Sequence, residues 1–150
     1  MGETSVTVAW DQTLFGKPEV GKKASRSRQV SSADIQAFTD ITGDRNPLHY
    51  DEDFARKTVF GRIIVQGGVT SGILNAIVAE DLPGPGTVFL GVEWKFVRAV
   101  GPGDTIIGEI EIMEVRNDKP ICVISTVVRN GEGQICLEGK ATTYTVTSTP

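Results

Sequence analysis

The stretch from about Gly68 to Glu80 is almost wholly apolar, and it limits the folds open to this chain. Val69, Ile73, Leu74, Ile77 and Val78 recur at helical spacing, with small Ala76 and Ala79 between them. Some 13 residues make a rod of about 20 Å at the rise of an α-helix. A helix apolar over so broad a face belongs in an interior, not on a surface. It is shorter than the roughly 20 apolar residues of a membrane span. Leu82-Pro83-Gly84-Pro85-Gly86 stops it abruptly. The rest of the chain must therefore supply the layer that buries this helix.

That layer is legible downstream. Thr87–Val100, Asp104–Val115, Pro120–Arg129 and Gln134–Val146 are rich in β-branched residues and read as strands. Gly101-Pro102-Gly103-Asp104, Asn117-Asp118-Lys119-Pro120 and Asn130-Gly131-Glu132-Gly133 separate them. The last two read as hairpin turns, with Asn130-Gly131 supplying positive φ angles. Helices in the first half and antiparallel strands in the second predict an α+β fold, a curved sheet packed on the apolar helix.

The first third is less regular. Residues 1–17 read as an N-terminal extension, with a short strand at Ser5–Val8, ahead of a single domain over 18–150. Lys22–Val30 reads as a polar edge strand. Ser31-Ser32-Ala33-Asp34 is a helix start, where serine caps free N–H groups and Asp34 meets the positive end of the dipole. Ile35, Phe38 and Ile41 follow at helical spacing and are expected to face the core. Gly43 is placed to end that helix in a left-handed conformation. Asp51–Lys57 reads as a short helix with acids first and bases last.

Composition closes off several functions. At 150 residues the chain suits one domain, and its net charge of −4 offers no footprint for nucleic acid. The N-terminus shows no basic segment followed by an apolar one, so no secretory signal is read and a cytoplasmic location is expected. Cys122 and Cys136 are isolated, and the chain has one histidine, so no metal site is expected. No glycine-rich nucleotide loop is present, so no cofactor is expected either.

The chemistry-bearing stretch is Gly43-Asp44-Arg45-Asn46-Pro47-Leu48-His49. It puts a carboxylate, an amide and the sole imidazole in one proline-stiffened loop. A carboxylate and an imidazole can flank one water and share acid and base work near neutral pH. Gln66-Gly67-Gly68 opens the buried helix, where free N–H groups and the lack of a side chain suit a carbonyl oxygen gaining charge. Together these parts suggest addition of water beside a carbonyl. Each also has a structural reading: Asp44 as a turn residue, His49 as a solvated or bracing group, and the glycines as packing devices.

The combination of Gly43-Asp44-Arg45-Asn46-Pro47-Leu48-His49 with Phe60-Gly61-Arg62-Ile63-Ile64-Val65-Gln66-Gly67 resembles the (R)-specific enoyl-CoA hydratases, or MaoC-like dehydratases. Leu82-Pro83-Gly84 and Val100-Gly101-Pro102-Gly103-Asp104 extend the likeness, which spans roughly Val20 to Val146. The resemblance implies a hot-dog fold, pairing of two subunits edge to edge, and reversible hydration of a trans-2-enoyl thioester to an (R)-3-hydroxyacyl thioester. The carrier is coenzyme A or acyl carrier protein. By the same resemblance, Asp44 and His49 hold and activate the water, Asn46 orients the water or the pair, and the Gly67 N–H binds the thioester oxygen. Asn75 and Val78 match positions bordering the acyl pocket. Relatives often carry His where this chain has Gln66, and Pro where it has Ile63. Gln66 can still hydrogen-bond to substrate but cannot titrate. Arg62, with Lys57, Lys95 and Arg98, could meet the phosphates of coenzyme A. Two other readings share the fold: a thioesterase, and a non-catalytic subunit that binds acyl thioesters.

Overall fold

A computed structural model describes residues 8–147. The strand expected at Ser5–Val8 lies, but for Val8, outside the described residues; Val8–Trp10 forms a short 3-10 turn. The elements then run β1 (Lys23–Gln29), α1 (Ser32–Thr42), a 3-10 turn at Pro47–His49, α2 (Glu52–Arg56), α3 (Gly67–Glu80), β2 (Thr87–Phe96), β3 (Thr105–Val115), β4 (Ile121–Asn130) and β5 (Ile135–Thr145). The strands form one antiparallel sheet in the order β1-β3-β4-β5-β2.

All five strands contact α3, which buries Val69, Thr70, Ile73, Leu74, Ile77 and Val78. Burial alternates along β3 and β4, so Ile106, Ile110, Ile112, Ile124 and Val128 point at the helix. At Gly108 the approach is so close that a Cβ would lie 2.8 Å from the Ile73 side chain. This is a hot-dog fold, a sheet around a central helix. Among the described residues no helix is long and apolar enough to cross a membrane.

Three local expectations are corrected. Ile41 is 83% exposed. Six residues beyond Ile35 at 100° per residue, it points about 120° away from the buried stripe, whereas Thr39 sits about 40° from it and is buried. In the β4–β5 turn it is Gly133, not Asn130-Gly131, that takes positive φ. There the Asn130 carboxamide oxygen accepts the N–H groups of Glu132 and Gln134, so the turn is built around that side chain. Finally, β2 ends at Phe96 rather than Val100, because Val97 and Arg98 both donate to the Cys136 carbonyl and the chain turns away.

The lead-in is tied to the domain. Trp10 is buried in the core, and its indole N–H donates to the Arg116 carbonyl over 2.8 Å.

Candidate active site

The loop after α1 is shaped by its own polar groups. Ser31 and Asp34 form a capping box at the start of α1, and Gly43 closes it at φ 80°, donating to the Thr39 carbonyl. Asp44 follows directly and is held at three atoms. Its N–H donates to Thr42 Oγ1 (3.2 Å), its carbonyl accepts from Thr39 Oγ1 (2.7 Å), and its Oδ1 accepts the Asn46 N–H (3.1 Å). Only Oδ2 is left over, and it faces His49 Nε2 at 3.7 Å.

His49 ends the 3-10 turn that Pro47 begins, and it is 8% exposed. Its Nδ1 lies 2.7 Å from the Ile64 carbonyl oxygen. A carbonyl only accepts, so Nδ1 carries a proton and Nε2 is the ring nitrogen turned toward Asp44. A second bond, Ile64 N–H to the Leu48 carbonyl, ties the same two segments together. The 3.7 Å between Nε2 and Oδ2 exceeds a hydrogen bond, so both atoms are free to hold one water between them.

The Ile64 anchor also sets where α3 begins. Gly67 is three residues on, within about 11 Å of Ile64 by chain length alone. Gln66 is the N-cap residue but makes no side-chain cap bond, and Gly67 directly after it is exposed. Its carboxamide is 2% exposed and turns instead to α1, donating to the Ile35 carbonyl (3.1 Å) and to Thr39 Oγ1 (3.2 Å). Its Oε1 is buried without a partner. Gly67 packs against an aromatic wall: a Cβ there would stand 3.1 Å from the Phe96 ring. At Gly68 a Cβ would run into the Phe38 ring of α1, which would have to move aside.

The structure thus brings Asp44, Asn46 and His49 into one loop and ties it to the lead into Gly67. Asn46 serves the loop's own frame, its Oδ1 accepting the Leu48 N–H at 3.0 Å while its N–H holds Asp44. Arg62 grips Asp104 through both terminal nitrogens, at 2.5 and 3.2 Å. That hydrogen-bonded guanidinium holds the Asp104 carboxyl below its ordinary range, against the opposing effect of partial burial. Gln66 faces α1. Asn75 is exposed on α3 while Val78, one turn on, is buried in the core, so the two do not share one open wall. A cleft of about 550 Å³ opens beside His49 and Tyr50 and is bordered by Glu52, Arg56 and Arg62. Among the described residues no three His, Cys, Asp or Glu side chains gather to hold a metal ion.

Sequence reading missed Thr39, Thr42, Tyr50 and Phe96 at this site. For Thr39 a signal existed: it falls four residues after Ile35, on the buried stripe of α1.

The MaoC like domain family matches residues 15–132. An (R)-specific enoyl-CoA hydratase from Aeromonas caviae is 36% identical over 123 residues, covering 82% of this chain and 92% of that protein. A 3-hydroxybutyryl-CoA dehydratase from Methylorubrum extorquens is 34% identical over 127 residues, covering 85% and 80%. Among solved structures, an (R)-hydratase from A. caviae involved in PHA biosynthesis superposes with a TM-score of 0.81 at 34% identity, over 86% of this chain and 98% of that one.

Proposed function

The chain belongs to the MaoC-like dehydratase family, and from that membership we propose that it adds water reversibly to the trans-2-enoyl group of a coenzyme A thioester, giving the (R)-3-hydroxyacyl thioester. The observation that carries this reading is the open pair of Asp44 Oδ2 and His49 Nε2, 3.7 Å apart and beyond direct hydrogen-bond contact. A water held there points a hydrogen at each acceptor and keeps a lone pair for the β-carbon of the enoyl group.

In the forward direction the water oxygen bonds to the β-carbon and the π electrons move toward the thioester carbonyl. The Gly67 N–H meets the oxygen that gains charge, at a helix start where the backbone dipole adds to the effect. Asp44 and His49 between them take up the water proton and return a proton to the α-carbon, so the net change is addition of H and OH. Asn46 keeps Asp44 oriented through its main-chain N–H. Dehydration runs through the same transition state in reverse.

The test is hydration of crotonyl-CoA, followed by loss of enoyl absorbance and by chiral analysis of the product. Asp44→Asn and His49→Ala lower turnover by about 10²–10⁴-fold while the protein stays folded. Near-wild-type rates in both, or an (S) product, would overturn the reading.

The working unit is a homodimer joined through β2. Among the described residues this edge strand pairs only with β5, and Val88, Leu90, Val92 and Phe96 are exposed. The opposite edge, β1, carries Lys23, Arg26 and Arg28, charges of the kind that keep strand edges apart.

A further inference from the structure

We propose that Thr39 is a positioning residue for the reaction: its hydroxyl sets where Asp44 stands relative to His49. The inference rests on the reading of Asp44 and His49 as the water-activating pair.

A threonine inside a helix commonly turns its hydroxyl back to the carbonyl four residues earlier. Here that carbonyl belongs to Ile35, and the Gln66 carboxamide already donates to it at 3.1 Å. The Thr39 proton goes instead to the Asp44 carbonyl at 2.7 Å. Both lone pairs of the same oxygen are then filled, one by the Gln66 Nε2 donor at 3.2 Å and one by the Tyr50 hydroxyl at 2.5 Å. With its one proton spent on a carbonyl, Thr39 can only accept from Tyr50, so Tyr50 donates. The hydroxyl has no rotational freedom left.

This saturated oxygen links both halves of the pair. It holds the main chain of Asp44 on one side. On the other it holds Tyr50, the residue directly after His49. Thr39 itself is buried and touches no open lone pair of the site, so it acts through Asp44 and not on substrate. Gln66 has a place in the same device: it blocks the back-bond and aims the hydroxyl, although its own Oε1 stays unpaired.

The experiment compares Thr39→Val, Thr39→Ser and Tyr50→Phe by kcat and KM on crotonyl-CoA, alone and in an Asp44→Asn background. Thr39→Val lowers kcat by about tenfold, with KM changing less than about twofold, because the pair is displaced and not the binding surface. Thr39→Ser keeps the hydroxyl and restores most of kcat. In the Asp44→Asn background Thr39→Val costs clearly less than in the wild type, since the larger part of its effect runs through a carboxylate already gone. If Thr39→Val fails to fold, Tyr50→Phe carries the test, losing one hydroxyl from a part-exposed ring and lowering kcat by about threefold. Wild-type kcat in Thr39→Val, or in Tyr50→Phe where only that variant folds, overturns the proposal. An equal further loss in the Asp44→Asn background also overturns it. If Asp44→Asn by itself keeps wild-type turnover, Asp44 leaves the water-activating pair and this inference falls with it. An inactive Asp44→Asn beside a fully active Thr39→Val removes only the inference.

Discussion

His49 Nδ1 lies 2.7 Å from the Ile64 carbonyl oxygen, and that bond decides which ring nitrogen meets Asp44. The two nitrogens have separable jobs, one anchoring and, under the proposed function, one reactive. An asparagine at position 49 can put its amide nitrogen where Nδ1 sits, and a glutamine reaches instead toward the position of Nε2. His49→Asn therefore keeps its thermal midpoint near wild type while losing about 10²–10⁴-fold in turnover. His49→Gln leaves the Ile64 carbonyl unpaired and loses about 1–3 kcal/mol of stability. Thermal melts and crotonyl-CoA assays on both variants check this. Equal stability of the two would show that the Nδ1 bond does not anchor the loop.

The elements were legible where their cause is local. The apolar period of α3, the Ser31–Asp34 box and the left-handed Gly43 are all set by residues within a turn or two of one another. Strand alternation in β3 and β4 is likewise local. What escaped notice is tertiary. Thr39 is polar on a buried stripe because partners 5, 11 and 27 residues away converge on its hydroxyl. Arg62 reads as a free cation until the fold brings Asp104, 42 residues on, to its guanidinium. Ile41 looks like core because it is apolar, but among the described residues it lies on an exposed face of α1.

The two adjacent glycines that open α3 separate activity from stability. Neither Gly67 nor Gly68 has positive φ, so alanine costs no backbone strain at either position. At Gly68 the added methyl runs into the Phe38 ring and displaces it from its place between α1 and α3, an overpacking that costs about 1–3 kcal/mol. At Gly67 it meets the exposed Phe96 ring at 3.1 Å, which can yield by a few tenths of an ångström. Gly67→Ala thus melts near wild type but slows turnover, because the methyl narrows the approach to the amide. Melting curves and kcat for the pair are the check; a Gly67→Ala enzyme with unchanged kcat would remove Gly67 from the reaction.

The Arg62–Asp104 pair has a defined pH window. Its hydrogen-bonded guanidinium depresses the folded-state pKa of Asp104. Stability from this pair is therefore complete above the unfolded carboxylate value of about 4 and is lost as pH falls through the lower folded value. The Arg62 side chain is 49% exposed, so screening holds the contribution to about 1 kcal/mol or less. Asp104→Asn keeps one acceptor for the Gly101 N–H but removes the charge and one of the two oxygens that Arg62 grips. Its melting point lies slightly below wild type from neutrality down to about pH 5, and the gap closes below about pH 4. A gap that persists unchanged in acid would mean that the carboxylate charge is not what stabilises this corner.

Under the proposed dimer, the β2 edge joins assembly to the site. Phe96, which walls Gly67, is the last residue of that strand, so whatever covers β2 also borders the approach to the Gly67 amide. A second β2 running antiparallel would satisfy the free edge and cover Leu90 and Val92, which are 59% and 45% exposed. The wild-type chain is accordingly expected at twice its monomer mass by light scattering after size exclusion. Leu90→Lys with Val92→Lys puts two ammonium groups on each strand, facing like charges across the seam. The double variant runs at monomer mass and loses most of its turnover, while Ser25→Lys on the β1 edge changes neither. A fully active monomer would show that each site is complete within one chain; a double variant that still runs as a dimer would move the seam away from β2.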